Sequence, residues 1–183
     1  MTLKELLFAD LVRQFAVGGQ PDRKPGMWSL LLKSFSPRFM PVVVFRLSHW
    51  CYQHGLSPLA KLFSLFNFVF FGLEIAVRCD IGPGLYFPHT QGTVIGAHTI
   101  GANATIYHNV TFGAREIDLV FTDASRPVVG SNVIVGAGAK VLGGVMLGDG
   151  ARVGANAVVL QDVPAGATVV GIPAQVVQPH GGL

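Results

Sequence analysis

A chain of 183 residues has room for one domain with an appendage. Its hydrophobic fraction of 50% and its 23 glycines suit a dry interior with tight corners. Thirteen Lys and Arg against ten Asp and Glu leave a formal charge of +3, with no basic stripe carrying interleaved aromatics, which argues against nucleic acid as a partner. Cys51 and Cys79 show no ligand spacing and are expected as buried, reduced thiols. Lys4, Glu5, Asp10 and Arg13 stand where a signal peptide needs an apolar core, so a cytoplasmic protein is expected.

Residues 2–17 place Leu3, Leu6, Leu7, Leu11 and Phe15 at helical spacing, and Thr2 with Glu5 three residues on forms a capping-box pattern. Gly18-Gly19 ends this helix, and a polar connector with two prolines follows. Further helical runs are expected over 28–35, 42–54 and 58–73. The stretch 62–73 carries no charge and holds Phe68, Phe70 and Phe71. It is too short for a membrane span, which needs roughly 20 apolar residues. Two readings stand: a helix buried on the first coils or on a neighbouring subunit, or a helix lying peripherally on the inner face of the plasma membrane. The second draws on the basic excess of residues 1–73, which hold eight Lys and Arg against three Asp and Glu.

The second half follows a period of six. Val129, Val135, Val141, Leu147, Val153 and Val159 are all aliphatic, and four residues after each comes Val133, Ala139, Val145, Ala151, Ala157 or Val163. Strands alone give period two and helices 3.6, whereas six with a small turn residue in each step is the mark of a hexapeptide parallel β-helix. The period starts at Ile75, Ile81 and Phe87, slips around 93–95, resumes at Ile100, Ile106 and Phe112, and fails between 113 and 128. The expected organisation is an α-helical region at 1–73, a β-helix at 74–177 with an outer-face loop inserted at 114–127, and a tail at 178–183.

The run Val135-Gly136-Ala137-Gly138-Ala139-Lys140-Val141 and the corner Gly171-Ile172-Pro173-Ala174 resemble the hexapeptide acyltransferases of the serine acetyltransferase group. So do Val110-Thr111-Phe112-Gly113, His89 followed by Gly92, Glu74-Ile75, and the helical run Phe45-Arg46-Leu47-Ser48-His49-Trp50. The resemblance implies a mostly β fold, a left-handed parallel β-helix behind an α-helical N-terminal region, assembled as a homotrimer. It also implies transfer of an acetyl group from acetyl-CoA, here a substrate, to a hydroxyl.

An alcohol needs a general base to attack a thioester at neutral pH, and histidine suits that task when a second group fixes its tautomer. The family pattern puts the base at His89, with Glu74 as its partner, and an oxyanion donor at the Gly113 N–H. His108 is a rival for the base and a candidate for the acceptor pocket. The pantetheine arm is expected along Ala137 and Ala155, with Lys140 or Arg152 toward a CoA phosphate. No metal is expected, because His89, His98 and His108 come without a carboxylate set.

Two departures bear on the acceptor. The family carries Asp immediately before its catalytic His, where this chain has Pro88, and a His in a basic-His-Pro run, where this chain has Arg126 in Ser125-Arg126-Pro127. Serine then lacks a partner for its ammonium unless Glu116, Asp118 or Asp123 comes in from the loop. The expected acceptor is therefore a sugar hydroxyl, on a saccharide or lipid-linked saccharide, as in colanic-acid-type acetyltransferases of exopolysaccharide synthesis. Arg126, Tyr86 and His108 are the expected acceptor contacts, and Phe87, Tyr107 and Phe121 further aromatic platforms. Serine O-acetylation is the alternative, and a non-catalytic hexapeptide scaffold the reading from another class.

Overall fold

The computed structural model describes residues 1–118 and 120–177, and the expected tail at 178–183 lies outside the described residues. Among the described residues four helices form where the 3.6-residue spacing put them: α1 (Leu3–Val17), α2 (Met27–Ser34), α3 (Met40–Gln53) and α4 (Ser57–Phe71). The capping box of α1 is complete, with Thr2 Oγ1 accepting the Glu5 N–H and Glu5 Oε2 accepting the Thr2 N–H. The two orphan donors are thereby satisfied, which a capping box does for about 1 kcal/mol. α4 stops one residue short of Gly72, which takes the left-handed conformation (φ 58°) that glycine tolerates, and Leu73 opens the first strand. None of the described helices is long and apolar enough to cross a membrane.

The expectation that 62–73 is a buried helix needs correction within one chain. α4 turns Ala60 and Asn67 inward, and Asn67 Nδ2 donates to the Pro41 carbonyl of α3. Its other face, with Leu62, Leu65, Phe68, Val69 and Phe70, is between 56% and 64% exposed. An uncharged run says nothing about how many sides a neighbouring element covers.

Fourteen strands follow among the described residues: β1 (Leu73–Ile75), β2 (Asp80–Ile81), β3 (Thr93–Ile95), β4 (Thr99–Ile100), β5 (Thr105–Ile106), β6 (Thr111–Gly113), β7 (Val128–Val129), β8 (Ile134–Val135), β9 (Lys140–Leu142), β10 (Met146–Leu147), β11 (Arg152–Val153), β12 (Val158–Val159), β13 (Thr168–Val170) and β14 (Gln175–Val177). They form three sheets, β1-β3-β6-β9-β12, β10-β7-β4-β2 and β14-β13-β11-β8-β5, parallel except for the antiparallel β13–β14 pair. This is a left-handed β-helix, a triangular prism in which each coil gives one strand to each face.

Its core is a stack of the aliphatics that set the period. Ile75, Ile95, Phe112, Val141 and Val159 lie in register on the first face, and none is more than 5% exposed. Phe87 belongs to this interior at 1% exposure, so it is a core residue and offers no platform to a ligand. Glycine often follows the inward aliphatic because the coils nearly touch there. A Cβ on Gly101 would stand 2.6 Å from the Gly130 carbonyl carbon, and one on Gly136 would stand 2.7 Å from the Ala155 nitrogen.

Helices and prism share one hydrophobic core, and a buried ion pair fastens them together. Asp10 of α1 and Arg46 of α3 are 0% and 2% exposed. Arg46 Nε and Nη2 donate to the two carboxylate oxygens at 2.8 and 3.0 Å, and Nη1 and Nη2 also reach the Ile81 and Gly82 carbonyls. Asp10 Oδ1 accepts the Gly84 and Leu85 N–H groups at 2.8 and 2.9 Å. Every charge-bearing atom is hydrogen-bonded, the condition under which a buried pair is tolerated.

Candidate active site

One edge of the prism gathers four of the expected residues. The β5–β8–β11 register runs Ile106, Val135, Val153, so two residues on, His108, Ala137 and Ala155 occupy the same corner of successive coils. The Tyr86–Thr105 bridge brings His89 to that position one coil earlier. The imidazoles of His89 and His108 meet edge to face, with centroids 5.7 Å apart and an interplanar angle of 83°. His89 is exposed, whereas His108 Nδ1 is buried without a hydrogen-bond partner among the described residues.

The slip in the period has a physical form at this edge. On leaving the corner, Asn109 N–H donates to the Gln91 carbonyl, as Gly138 N–H does to His108 and Asn156 N–H to Ala137. Approached from this side, the residue facing His108 is Gln91 and no longer His89, so the first corner holds two extra residues. Thr90 Oγ1 ties that longer corner to the Phe71 carbonyl at 2.9 Å. Glu74 pairs in register with Val94 on β3 and makes no hydrogen bond to His89. The fifteen-residue spacing between them therefore does not bring them to one corner.

The first face carries the rest outward. Glu74, Val94, Thr111, Lys140 and Val158 line up across β1, β3, β6, β9 and β12. At the far end of β6, Gly113 opens into a cavity of about 440 Å³, lined by Glu74, Thr111, Gly113, Glu116, Asp118 and Arg126 among others. Arg126 and Glu74 thus come together with Gly113, while His89 and His108 do not line this cavity. Five residues separate His108 from Gly113, at most about 17 Å of extended chain, so the histidines and the expected oxyanion donor flank opposite edges of one face. Lys140 Nζ donates to the Asn109 carbonyl at 2.5 Å. Tyr86 lies apart, in a cavity with Gln14, Arg23, Lys33 and Arg38 beside α1.

The inserted loop is held at both ends. Arg115 Nη2 donates to the Leu160 carbonyl and Nε to Leu142, across two coils, opposite Gly143. Sequence reasoning missed this anchor, although the Gly143-Gly144 pair inside the repeat leaves room for the close approach of Arg115 and Ala124. Asp118 accepts from the Thr122 N–H at 2.8 Å, the Ser125 hydroxyl at 2.7 Å and Arg126 Nε at 3.1 Å. These partners, the Ser125 hydroxyl first, hold the Asp118 carboxyl down at about 2. Arg126 also stacks on Phe121, with Cζ 4.3 Å from the ring centroid. His98 Nδ1 lies 3.3 Å from Asp123 of the same loop. Among the described residues no group of three His, Cys, Asp or Glu is placed to hold a metal ion.

A prism built in six-residue steps, with paired histidines on one edge and an acid-lined cavity beside it, is that of a hexapeptide transferase. The family described as bacterial transferase hexapeptide (six repeats) matches residues 126–161. Serine acetyltransferase of Helicobacter pylori (strain J99) is 40% identical over 151 residues, covering 82% of this chain and 85% of that protein. The chain belongs to the serine acetyltransferase family. The enzyme of Synechococcus elongatus is 40% identical over 79% of this chain, which spans 59% of that protein's length. Among solved structures, Neisseria gonorrhoeae serine acetyltransferase in complex with serine superposes with a TM-score of 0.77 at 30% identity, covering 94% of this chain and 68% of that one. A serine acetyltransferase in complex with CoA superposes at 0.78 and 28%, covering 96% and 69%.

These likenesses overturn the expected sugar acceptor. The relatives and neighbours are serine acetyltransferases, and the closeness to colanic-acid-type enzymes of exopolysaccharide synthesis finds no support among them. The error came from weighing Pro88 and Arg126 by their positions in the chain. Carboxylates from the loop reach the cavity that Arg126 lines, which residue spacing does not reveal.

Proposed function

We propose that the chain transfers the acetyl group of acetyl-CoA to the hydroxyl of L-serine. The observation that carries this is the 40% identity with the Helicobacter pylori enzyme over 82% of this chain and 85% of that protein. The cavity chemistry agrees with it, since Arg126 and three carboxylates around one space suit a small zwitterion better than a neutral sugar.

In this reading His89 takes the proton of the serine hydroxyl as its oxygen attacks the thioester carbonyl. The Gly113 N–H stabilises the oxyanion of the tetrahedral intermediate. Collapse breaks the C–S bond, and His89 returns the proton to the departing sulfur, giving O-acetylserine and CoA. Glu74, on the face of the adjacent copy, fixes the imidazole tautomer. The pantetheine arm follows the edge from His108 past Ala137 and Ala155, whose small side chains leave room along the corner, and Lys140 stands beside it for a phosphate. His108 packs against the base and faces the acceptor. Tyr86, in its separate cavity, has no part in this scheme.

The base and the oxyanion donor flank opposite edges of one face, so the proposed site is completed between copies of a homotrimer, the corner of one against the face of the next. The division into a helical region (1–73), a catalytic β-helix (74–177) with its loop (114–127) and a tail (178–183) is part of the same proposal. Thiol release from acetyl-CoA with L-serine, and identification of O-acetylserine by mass spectrometry, tests it. Serine-dependent release is expected, and its absence at millimolar serine overturns the reading.

A further inference from the structure

The serine reading leaves one charge unassigned. Serine reaches its site as a zwitterion, and an ammonium taken out of water without a counter-charge costs several kcal/mol. Pro88, immediately before His89, has neither a charge nor an N–H to offer. The ammonium partner therefore has to come from elsewhere around the cavity, and three carboxylates line it: Glu74, Glu116 and Asp118.

Two of the three are committed. Asp118 is saturated by Ser125, Thr122 and Arg126, and its side chain is 11% exposed. Glu74 is the proposed partner of the base. Glu116 is exposed, and among the described residues it forms neither an ion pair nor a side-chain hydrogen bond. Two anchors bracket it: Arg115 just before it reaches the coils, and Asp118 two residues on is bound to Arg126. Arg126 keeps Nη1 beside Gly96, on the same cavity wall, while Nε and Nη2 hold Asp118. A cation with a donor to spare and an unpaired carboxylate thus border one space.

We propose that Glu116 is the specificity-determining residue of this site, receiving the ammonium of serine while Arg126 Nη1 receives its carboxylate. This rests on the serine reading and assigns to the inserted loop the selection of an amino acid over a plain hydroxy acid. An interaction with a charged group of this kind is worth roughly 10- to 100-fold.

The test compares two acceptors in the full-length protein: L-serine and 3-hydroxypropanoate, which lacks only the ammonium. In E116Q, kcat/KM for L-serine should fall roughly 10- to 100-fold, mainly through KM, while that for 3-hydroxypropanoate stays level or rises. E116D should recover part of the loss, and an unchanged thermal midpoint excludes a folding defect. If wild type turns serine over but E116Q keeps its preference for serine, or loses both acceptors equally, the assignment of Glu116 falls alone. If wild type releases no CoA with serine, the serine reading falls and this inference with it.

Discussion

His89 and His108 meet edge to face at 5.7 Å, on a corner that is two residues longer in the first coil than in the second. That extra length falls beside His89, whereas His108, Ala137 and Ala155 continue the edge in strict register. In the proposed mechanism the exposed ring moves a proton and the partly buried one limits where it can turn. The edge changes from imidazoles to alanines over four coils, and the same proposal makes the first part the reacting end and the second the binding groove.

The Asp10–Arg46 pair fastens α1 and α3 to the first coil, so removing one partner strands a buried charge. Arg46→Met should cost about 3–5 kcal/mol, the usual penalty for an uncompensated buried ion. Asp10→Asn should cost a similar amount, and the double variant less than the sum, because neither charge is then left alone. Denaturant unfolding of the four proteins gives the cycle, and strictly additive losses would contradict the coupling.

The loop knot titrates. The Asp118 carboxyl sits at about 2 against an ordinary value of 3.8. Because the folded value is the lower one, its contribution to loop order is complete above about 4 and is lost as pH falls through 2. A carbon-13 NMR titration of the Asp118 carboxyl should therefore show a midpoint near 2. A midpoint at 3.8 or above would mean that Ser125, Thr122 and Arg126 do not hold it.

Burial, then the nearby Asp80 charge, pushes the Cys79 thiol up to about 12, and both cysteines are free and buried. At pH 8 the native protein should give almost no reaction with a disulfide reagent, and two equivalents after unfolding in guanidinium. Above pH 9 the unfolded thiol ionises while the folded one does not, so Cys79 weighs against the folded state there. Rapid labelling of the native protein would contradict its burial.

A three-copy assembly is required if the site is built between faces. Light scattering at micromolar concentration should give a trimer or a multiple of three. A monomer that still turned over acetyl-CoA would show that one chain suffices.

How much of this could be read from residues alone follows from which side of the chain they describe. The inward column Ile75, Ile95, Phe112, Val141, Val159 announces itself because every coil must repeat it, and the capping box of Thr2 and Glu5 is local enough to need no fold. Outward residues obey no such rule. Tyr86 and Glu74 both point away from the core, yet they border different cavities, and only the three-sided winding decides which. The slip near 93–95 is visible as a broken period, but its placement, two extra residues beside His89, needs the register on both sides of the corner. The insertion shows as a run of charges, while the partners of Asp118, and the freedom left to Glu116, depend on how that run folds back on itself.

The proposed role of His89 as the base in acetyl transfer to serine is read from the turnover of wild type, H89A and H108A at saturating L-serine and acetyl-CoA. H89A should lose roughly 10²- to 10⁴-fold in kcat, the usual worth of a general base, with its affinity for acetyl-CoA kept, and H108A should lose less. An active H89A beside a dead H108A would contradict the account.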